Sequence, residues 1–262
     1  IYLPNGEIIN IGYDLTKTEQ NEKLLYEQSK LASMGEMIGN IAHQWRQPLS
    51  AISTAATGMQ LQQEYDCLDP KDLISSCEAI NNNAQYLSDT IEDFTNFIKG
   101  NKEKTFFHLK AAIQSVVHLL EGTIKQNNIT LILNIEDIEL NSYENELTQG
   151  IINIINNAKD ALVDLPNDTK KIIEISTYIE KNYCVIRIKD NAGGIQEDIL
   201  TKIFDPYFST KHKSQGTGLG LHMTYKLVVE GLQGTVVAKN VSTIYENKRY
   251  KGAEFTLKIP MS

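Results

Sequence analysis

The sequence predicts an α+β chain in two parts: a helical hairpin that pairs with a second copy into a four-helix bundle, then a two-layer α/β sandwich. Three observations carry this expectation. From Thr18 to Glu64 the apolar residues Leu24, Leu31, Ile38 and Trp45 recur seven apart, with Met34 and Ile41 between them. From Leu73 onward Cys77, Ile80, Ala84, Leu87, Ile91, Phe94 and Ile98 follow in alternating steps of four and three, a heptad seam. After residue 102 the pattern changes to helices separated by runs that alternate apolar and polar.

The two long helices are separated by "EYDCLDPKD", where Asp69-Pro70 opens the second one. Each carries an apolar stripe too long for one hairpin to cover, and two hairpins cover both. The competing arrangement packs the hairpin on the domain that follows. In that domain "HLKAAIQSVVHLLEGTIKQ" reads as an amphipathic helix, "NITLILNIED" as a strand and "NELTQGIINIINNAKDALVDL" as a helix. "KIIEISTYIE" and "YCVIRIKD" read as neighbouring strands, the second placing Cys184, Ile186 and Ile188 on one face. "GTVVAKN" and "AEFTLKIP" add two more, so the sheet is expected to be mostly antiparallel. The expected boundaries are 1–18, 19–102 and 103–262.

Composition narrows the classes. The 262 residues carry a net charge of −8, which argues against a nucleic-acid partner, since that needs a basic face. Cys67, Cys77 and Cys184 are scattered without metal-ligand spacing, as expected of reduced thiols in the cytoplasm. "NIT" at 128 and "NVS" at 240 are chance matches to the glycosylation pattern. No run reaches the length of apolar residues that spans a bilayer. The chain starts at Ile1 with no signal-peptide pattern, which predicts a piece of a longer protein. Pro4-Asn5-Gly6 marks a turn before an Ile-rich strand, and a lone strand and turn must belong to a domain that precedes them.

Three stretches carry chemistry. In "QGIINIINNAKDA" Gln149, Asn153 and Asn157 recur every four residues on one helix face, with Ile151, Ile155, Ala158 and Leu162 on another. A solvated face would more naturally carry Glu and Lys, whereas Asn offers a neutral oxygen that holds Mg²⁺ without adding charge beside a triphosphate. In "KDNAGGI" Asp190 ends a strand, where its carboxylate can accept a hydrogen bond from an exocyclic amine such as adenine N6. Gly193 and Gly194 let the backbone approach a flat ring, although Asp-Asn-x-Gly is also an ordinary turn. In "QGTGLGLHM" Gly216, Gly218 and Gly220 alternate with Thr217 and Leu219 before a helix, a backbone cradle for an anion or else a tight loop. "FDPYFSTKHKSQ" precedes it, with Lys211 and Lys213 placed to reach phosphates.

Taken in order, "HQWRQPL", "NIINNA", "DNAGGI", "FDPYF" and "GTGLGL" resemble the five motifs of sensor histidine kinases of two-component signalling. The resemblance runs from about residue 20 to the end, and the first residues resemble the last hairpin of a PAS sensor domain. It implies an ATP-binding domain of the gyrase, chaperone and histidine-kinase type, with ATP and Mg²⁺ as cofactors. It also implies a homodimer through the 20–100 hairpin and a response-regulator receiver domain as partner. His43 is the implied phosphoacceptor, a neutral imidazole that attacks the γ-phosphate, with Gln44, Arg46 and Gln47 beside it. Arg46 can neutralise phosphate charge, and Gln47, one turn along from His43, can orient a water. Pro48 has no N–H, so it frees the carbonyl of Gln44 and lets the helix flex beside His43. Trp45 continues the heptad series and reads as bundle core.

The implied nucleotide residues are Asn153, Asn157, Lys159, Asp190, Gly194 and Ile195, then Phe204, Thr210 and Lys211, then Gly216, Thr217, Gly218, Leu219, Gly220 and Leu221. Asn157 is the implied Mg²⁺ ligand. The chain departs from the family's pattern in places. Gln44 stands where an acidic proton acceptor is common, and an amide cannot take a proton. Asp160 stands where a basic residue often meets the phosphates, and Lys159 is the substitute. Related ATPases carry a glutamate as the base for water where this chain has Asn153, so hydrolysis should be poor.

Overall fold

A computed structural model describes residues 16–99, 103–166, 169–210, 218–246 and 248–261. The expected tail of a preceding domain therefore lies outside the described residues, apart from the start of the first helix.

Helices α1 (Thr16–Glu64) and α2 (Pro70–Lys99) form the hairpin. Asp69 caps α2: its Oδ1 accepts the Lys71 N–H at 2.9 Å and its carbonyl accepts the Leu73 N–H at 2.9 Å. Proline at the first helical position needs no N–H partner there. Asp66 takes a left-handed φ of 52° in the turn. Ile52, Ala55 and Met59 on α1 and Ile80 and Leu87 on α2 are half-buried. Leu24, Leu31, Ile38, Leu73 and Ile91 stay 40% to 65% exposed, so the chain alone leaves much of the heptad seam uncovered. The side chains of Met34, Ile41, Phe94 and Ile98 lie outside the described residues.

Trp45 departs from the rest of its series. It packs against the core of the α/β part, with its indole Nε1 buried and without a hydrogen-bond partner among the described residues. On the other helix the Tyr86 ring meets His118 edge-on, with centroids 5.0 Å apart. Trp45 therefore packs on the second domain instead of in the hairpin's own core. A heptad position states only that a side chain leaves water, and here the neighbouring domain supplies the cover.

The α/β part runs β1 (Thr105–His108), α3 (Leu109–Gln126), β2 (Ile129–Asn134), β3 (Glu139–Ser142), α4 (Glu144–Val163), β4 (Lys171–Glu180), β5 (Tyr183–Asp190), α5 (Gly220–Lys226), β6 (Thr235–Tyr245) and β7 (Lys248–Pro260). A π-helical turn, Leu227–Gly231, continues α5. The main sheet has the order β2-β4-β5-β7-β6, and a separate ribbon pairs β1 with β3. All its pairings are antiparallel except β2 with β4, which is parallel because the chain crosses over through α4 between them. Strands β1 and β3, four residues each, are too short for an alternating pattern to reveal.

The core lies between helices and sheet. Ile113 and Leu120 of α3 and Ile151, Ile155 and Leu162 of α4 meet Ile173 and Ile175 of β4, Ile186 and Ile188 of β5 and Leu257 of β7. Cys184 is buried in this layer, and burial pushes its thiol up to about 12, so it is a packed side chain and not a nucleophile. The alternate residues of the strands carry a ladder of opposite charges. Glu174 pairs in register with Lys189, Lys189 with Glu254 and Glu254 with Lys239. Their charged atoms are 3.5, 3.9 and 2.9 Å apart in that order. Directly opposed charges of alternating sign support the central strands of the sheet.

Candidate nucleotide site

The site begins on α4. Glu144 and Glu146 in the first turn suit the positive end of the helix. Gln149 and Asn153 are buried, not solvated. Asn153 Oδ1 accepts from Gln149 Nε2 at 3.0 Å, and Asn153 Nδ2 donates to Gly220 O at 3.1 Å and to Thr224 Oγ1 at 3.3 Å. The Thr224 hydroxyl in turn donates to Gly220 O at 3.0 Å. Asn153, expected at the nucleotide, thus has its amide engaged at both ends within the protein.

One turn further, Asn157 donates its Nδ2 to the Asn153 carbonyl at 2.8 Å. That bond makes Oδ1 the open end of the amide, and among the described residues nothing donates to it. A half-buried neutral oxygen fixed in this way fits a hard cation such as Mg²⁺. Lys159 is buried, with its Nζ 3.1 Å from Asp160 Oδ1. The carboxylate that departs from the family pattern therefore pairs with the lysine next to it.

The second wall is the loop after β5. Asp190 is buried, and its Oδ1 accepts the N–H groups of Ala192 at 2.9 Å and Ala253 at 3.1 Å. Among the described residues Oδ2 has no donor, so one carboxylate oxygen is held and the other is open. Burial raises the Asp190 pKa, and the two backbone N–H groups oppose the shift. Asn191 fastens the loop to the strand behind it, accepting from Ile172 N at 2.8 Å and donating to Lys170 O at 2.6 Å. Gly252 admits this approach, since a Cβ there would lie 1.7 Å from the Asp190 carbonyl. Gly193 and Gly194 follow at φ 93° and 87°, the left-handed region that favours glycine. Ile195 is half-buried against the core.

The third wall joins 204–210 to 218–221. Phe204 is half-buried, its ring 5.8 Å from that of Tyr225, and its carbonyl accepts the His222 Nδ1–H at 2.9 Å. Phe208 packs against the core and Thr210 is exposed. Gly218 has φ 65°, and a Cβ there would fall 2.4 Å from the Tyr207 backbone. Leu219 is buried, Leu221 half-buried. A Cβ at Gly220 would lie 3.8 Å from Asn157 Nδ2, so the glycine run meets the asparagine face directly. The structure thus brings Asn153, Asn157 and Gly220 together. Lys211, Lys213, Gly216 and Thr217 lie outside the described residues.

On α1 the side chains of His43 and Gln44 lie outside the described residues, while Pro48 is buried within the helix. Arg46 and Gln47 are exposed and, with Ser50, Ala51, Thr54 and Ala55, line an open groove of about 730 Å³. Sequence reasoning missed Thr224, Asn240 and Gly252. Each acts through a partner far along the chain, and no local spacing marks it.

Residues 142–262 match the family model described as histidine kinase-, DNA gyrase B- and HSP90-like ATPase. The chain is 27% identical to the two-component sensor PprA of Pseudomonas aeruginosa over 98% of its own length and 27% of that protein's. It is 31% identical to sporulation kinase C of Bacillus subtilis, over 81% of the chain and 47% of the relative. Among solved structures, the nucleotide-free catalytic domain of histidine kinase ThkA superimposes with a TM-score of 0.51 at 28% identity, covering 61% of this chain and 96% of that one. The chain spans about a quarter to a half of the length of these curated relatives. Residues 142–262 therefore resemble the ATPase domain of the histidine kinase, gyrase B and HSP90 type, and the chain as a whole is similar to sensor histidine kinases of two-component signalling.

Proposed function

We propose that this chain is the phosphoacceptor and ATP-binding part of a sensor histidine kinase. It transfers the γ-phosphoryl group of ATP to His43, and from there to an aspartate in the receiver domain of a response regulator. The observation that carries this reading is a pair of open oxygens, Asn157 Oδ1 and Asp190 Oδ2, each fixed by hydrogen bonds on the other atom of its group. A fixed carboxylate oxygen suits the exocyclic amine of adenine, and a fixed amide oxygen suits a cation on the phosphates. Mg²⁺, when bound, neutralises charge on the phosphates. Gly218 and Gly220 keep the backbone close without side chains that would fill the cradle.

In the transfer, a ring nitrogen of His43 bonds to the γ-phosphorus while the bond to the bridging oxygen breaks and ADP leaves. The phosphorylated ring then gives up its remaining proton to water, because Gln44 cannot take it. Arg46 offsets the charge of the transferred group. Asn153 is no base for water, since an amide takes no proton and both of its ends are engaged. In this reading residues 1–18 end an upstream PAS-like domain, 19–102 carry the phosphoacceptor hairpin, 103–262 bind ATP, and the use of ATP places this part in the cytoplasm. Among the described residues no helix is long and apolar enough to cross a membrane.

Incubation with γ-labelled ATP and Mg²⁺ tests the proposal. Acid-labile label is expected on the wild type and none on His43→Gln, with nucleotide affinity nearly unchanged in the variant. Label that persists on the variant, or free phosphate as the main product, contradicts it.

The exposed heptad residues support a homodimer through the 20–100 hairpin. Light scattering at micromolar concentration should give twice the 29.5 kDa chain mass, and a single chain's mass contradicts the bundle.

Asp190 gives a pH test. Its raised pKa means that the folded protein holds this proton more tightly than the unfolded chain does. Below the ordinary carboxylate range the group costs nothing; as pH rises through the raised pKa, the buried charge lowers stability. Asp190→Asn keeps the acceptor for Ala192 and Ala253. It should melt like the wild type in acid and above it at neutral pH, while binding adenine nucleotide more weakly by about 1–3 kcal/mol. A melting difference that does not grow with pH, or undiminished affinity, counts against the role of Asp190.

A further inference from the structure

Asn240 lies on β6, 45 residues from Ile195, yet its amide is bonded to that residue on both sides. Its Oδ1 accepts the Ile195 N–H at 2.7 Å, and its Nδ2 donates to the Ile195 carbonyl at 2.7 Å and to Glu197 Oε1 at 3.1 Å. One side chain satisfies both backbone groups of Ile195, as the backbone of a neighbouring strand would. The amide also lies flush on Gly194, where a Cβ would come within 2.5 Å of Asn240 Oδ1. Asn240 is exposed, and ordering an exposed side chain in one geometry costs conformational entropy, so three bonds from one amide mark a position held for a purpose.

The loop that Asn240 grips begins at Asp190. β7 holds its near end, through Ala253 N to Asp190 Oδ1 at 3.1 Å and Gly193 N to Lys251 O at 3.0 Å. Asn240 holds its far end. The glycine run is held by a different set, Asn153 and Thr224 on Gly220 O. The two walls of the site are thus clamped independently.

We propose that Asn240 is a positioning residue for the base-reading wall. By fixing Gly194 and Ile195 it sets where the purine ring lies against Asp190, and so sets the preference for adenine over guanine. This rests on the nucleotide reading above. Guanine presents a carbonyl oxygen where adenine presents an amine, and a fixed carboxylate oxygen repels the first and accepts from the second. The discrimination is only as sharp as the position of the ring. In Asn240→Asp the shape is kept, but a carboxylate faces the Ile195 carbonyl and Glu197. In Asn240→Ala both bonds to Ile195 are lost.

The test measures dissociation constants of ADP and GDP for the full chain, with and without Mg²⁺, in the wild type and both variants. The ratio of GDP to ADP constants is expected to fall about fivefold or more in each variant. The factor by which Mg²⁺ strengthens ADP binding should stay at its wild-type value. A ratio of two affinities cancels any loss of folded protein, so destabilisation alone leaves it unchanged. A wild-type ratio in both variants overturns the proposal, and so does a change confined to the Mg²⁺ factor, which would place Asn240 at the phosphate end. A wild type that binds neither nucleotide overturns the nucleotide reading itself, and this inference with it.

Discussion

The side-chain amide of Asn153 ties together two segments that lie 67 residues apart in the sequence. It is buried, so each of its polar atoms needs a partner, and an orphaned amide there would cost about 1–3 kcal/mol. Its partners are Gln149 on its own helix, Gly220 at the start of α5 and Thr224 one turn further along it. This anchor sets where α5 begins. The position of Gly220 against Asn157 follows from it, as does the left-handed turn at Gly218 under the Tyr207 backbone. A small polar cluster inside an apolar layer specifies one geometry, because any shift leaves a buried group unpaired.

The same logic separates the ends of the site. The wall around Asp190 is fastened to β6 and β7, and the glycine run to α4. Each end can be loosened without the other. The hairpin contributes through Trp45 and Tyr86, which touch the α/β part from both helices. The buried indole N–H without a partner among the described residues makes that docking weaker than its apolar contact alone would suggest. In the proposed function, where α1 carries the phosphoacceptor and must meet and leave the ATP-binding part, such a contact serves.

Much of the architecture was legible in the sequence, for a physical reason. α3, α4, β4 and β5 carry long apolar periodicities, because each buries one face against the same core. β1 and β3 escaped notice because four residues hold too little pattern. Trp45 followed its heptad register and still found its cover in the neighbouring domain, since periodicity reports burial and not the identity of the partner. In the candidate site, the shared helix face of Gln149, Asn153 and Asn157 was legible in the four-residue spacing, while the engagement of Asn153 with Gly220 and Thr224 was not. Its bonds to Gly220 and Thr224, like those of Asn240 to Ile195 and Glu197, run between residues 43 to 71 apart, and such pairings leave no local trace.

The central claim is that the buried amide of Asn153 holds the glycine run in place, by its own bond to Gly220 O and by a second route through Thr224. Thr224→Val keeps the shape and removes only the hydroxyl, which accepts from Asn153 and donates to Gly220 O. The direct measurement is amide hydrogen exchange at residues 218–222 of this variant, taken together with its Mg·ADP affinity. The account predicts faster exchange confined to that segment and an affinity about tenfold or more below wild type, with the sheet amides unchanged. Wild-type exchange at 218–222 with wild-type affinity would contradict it.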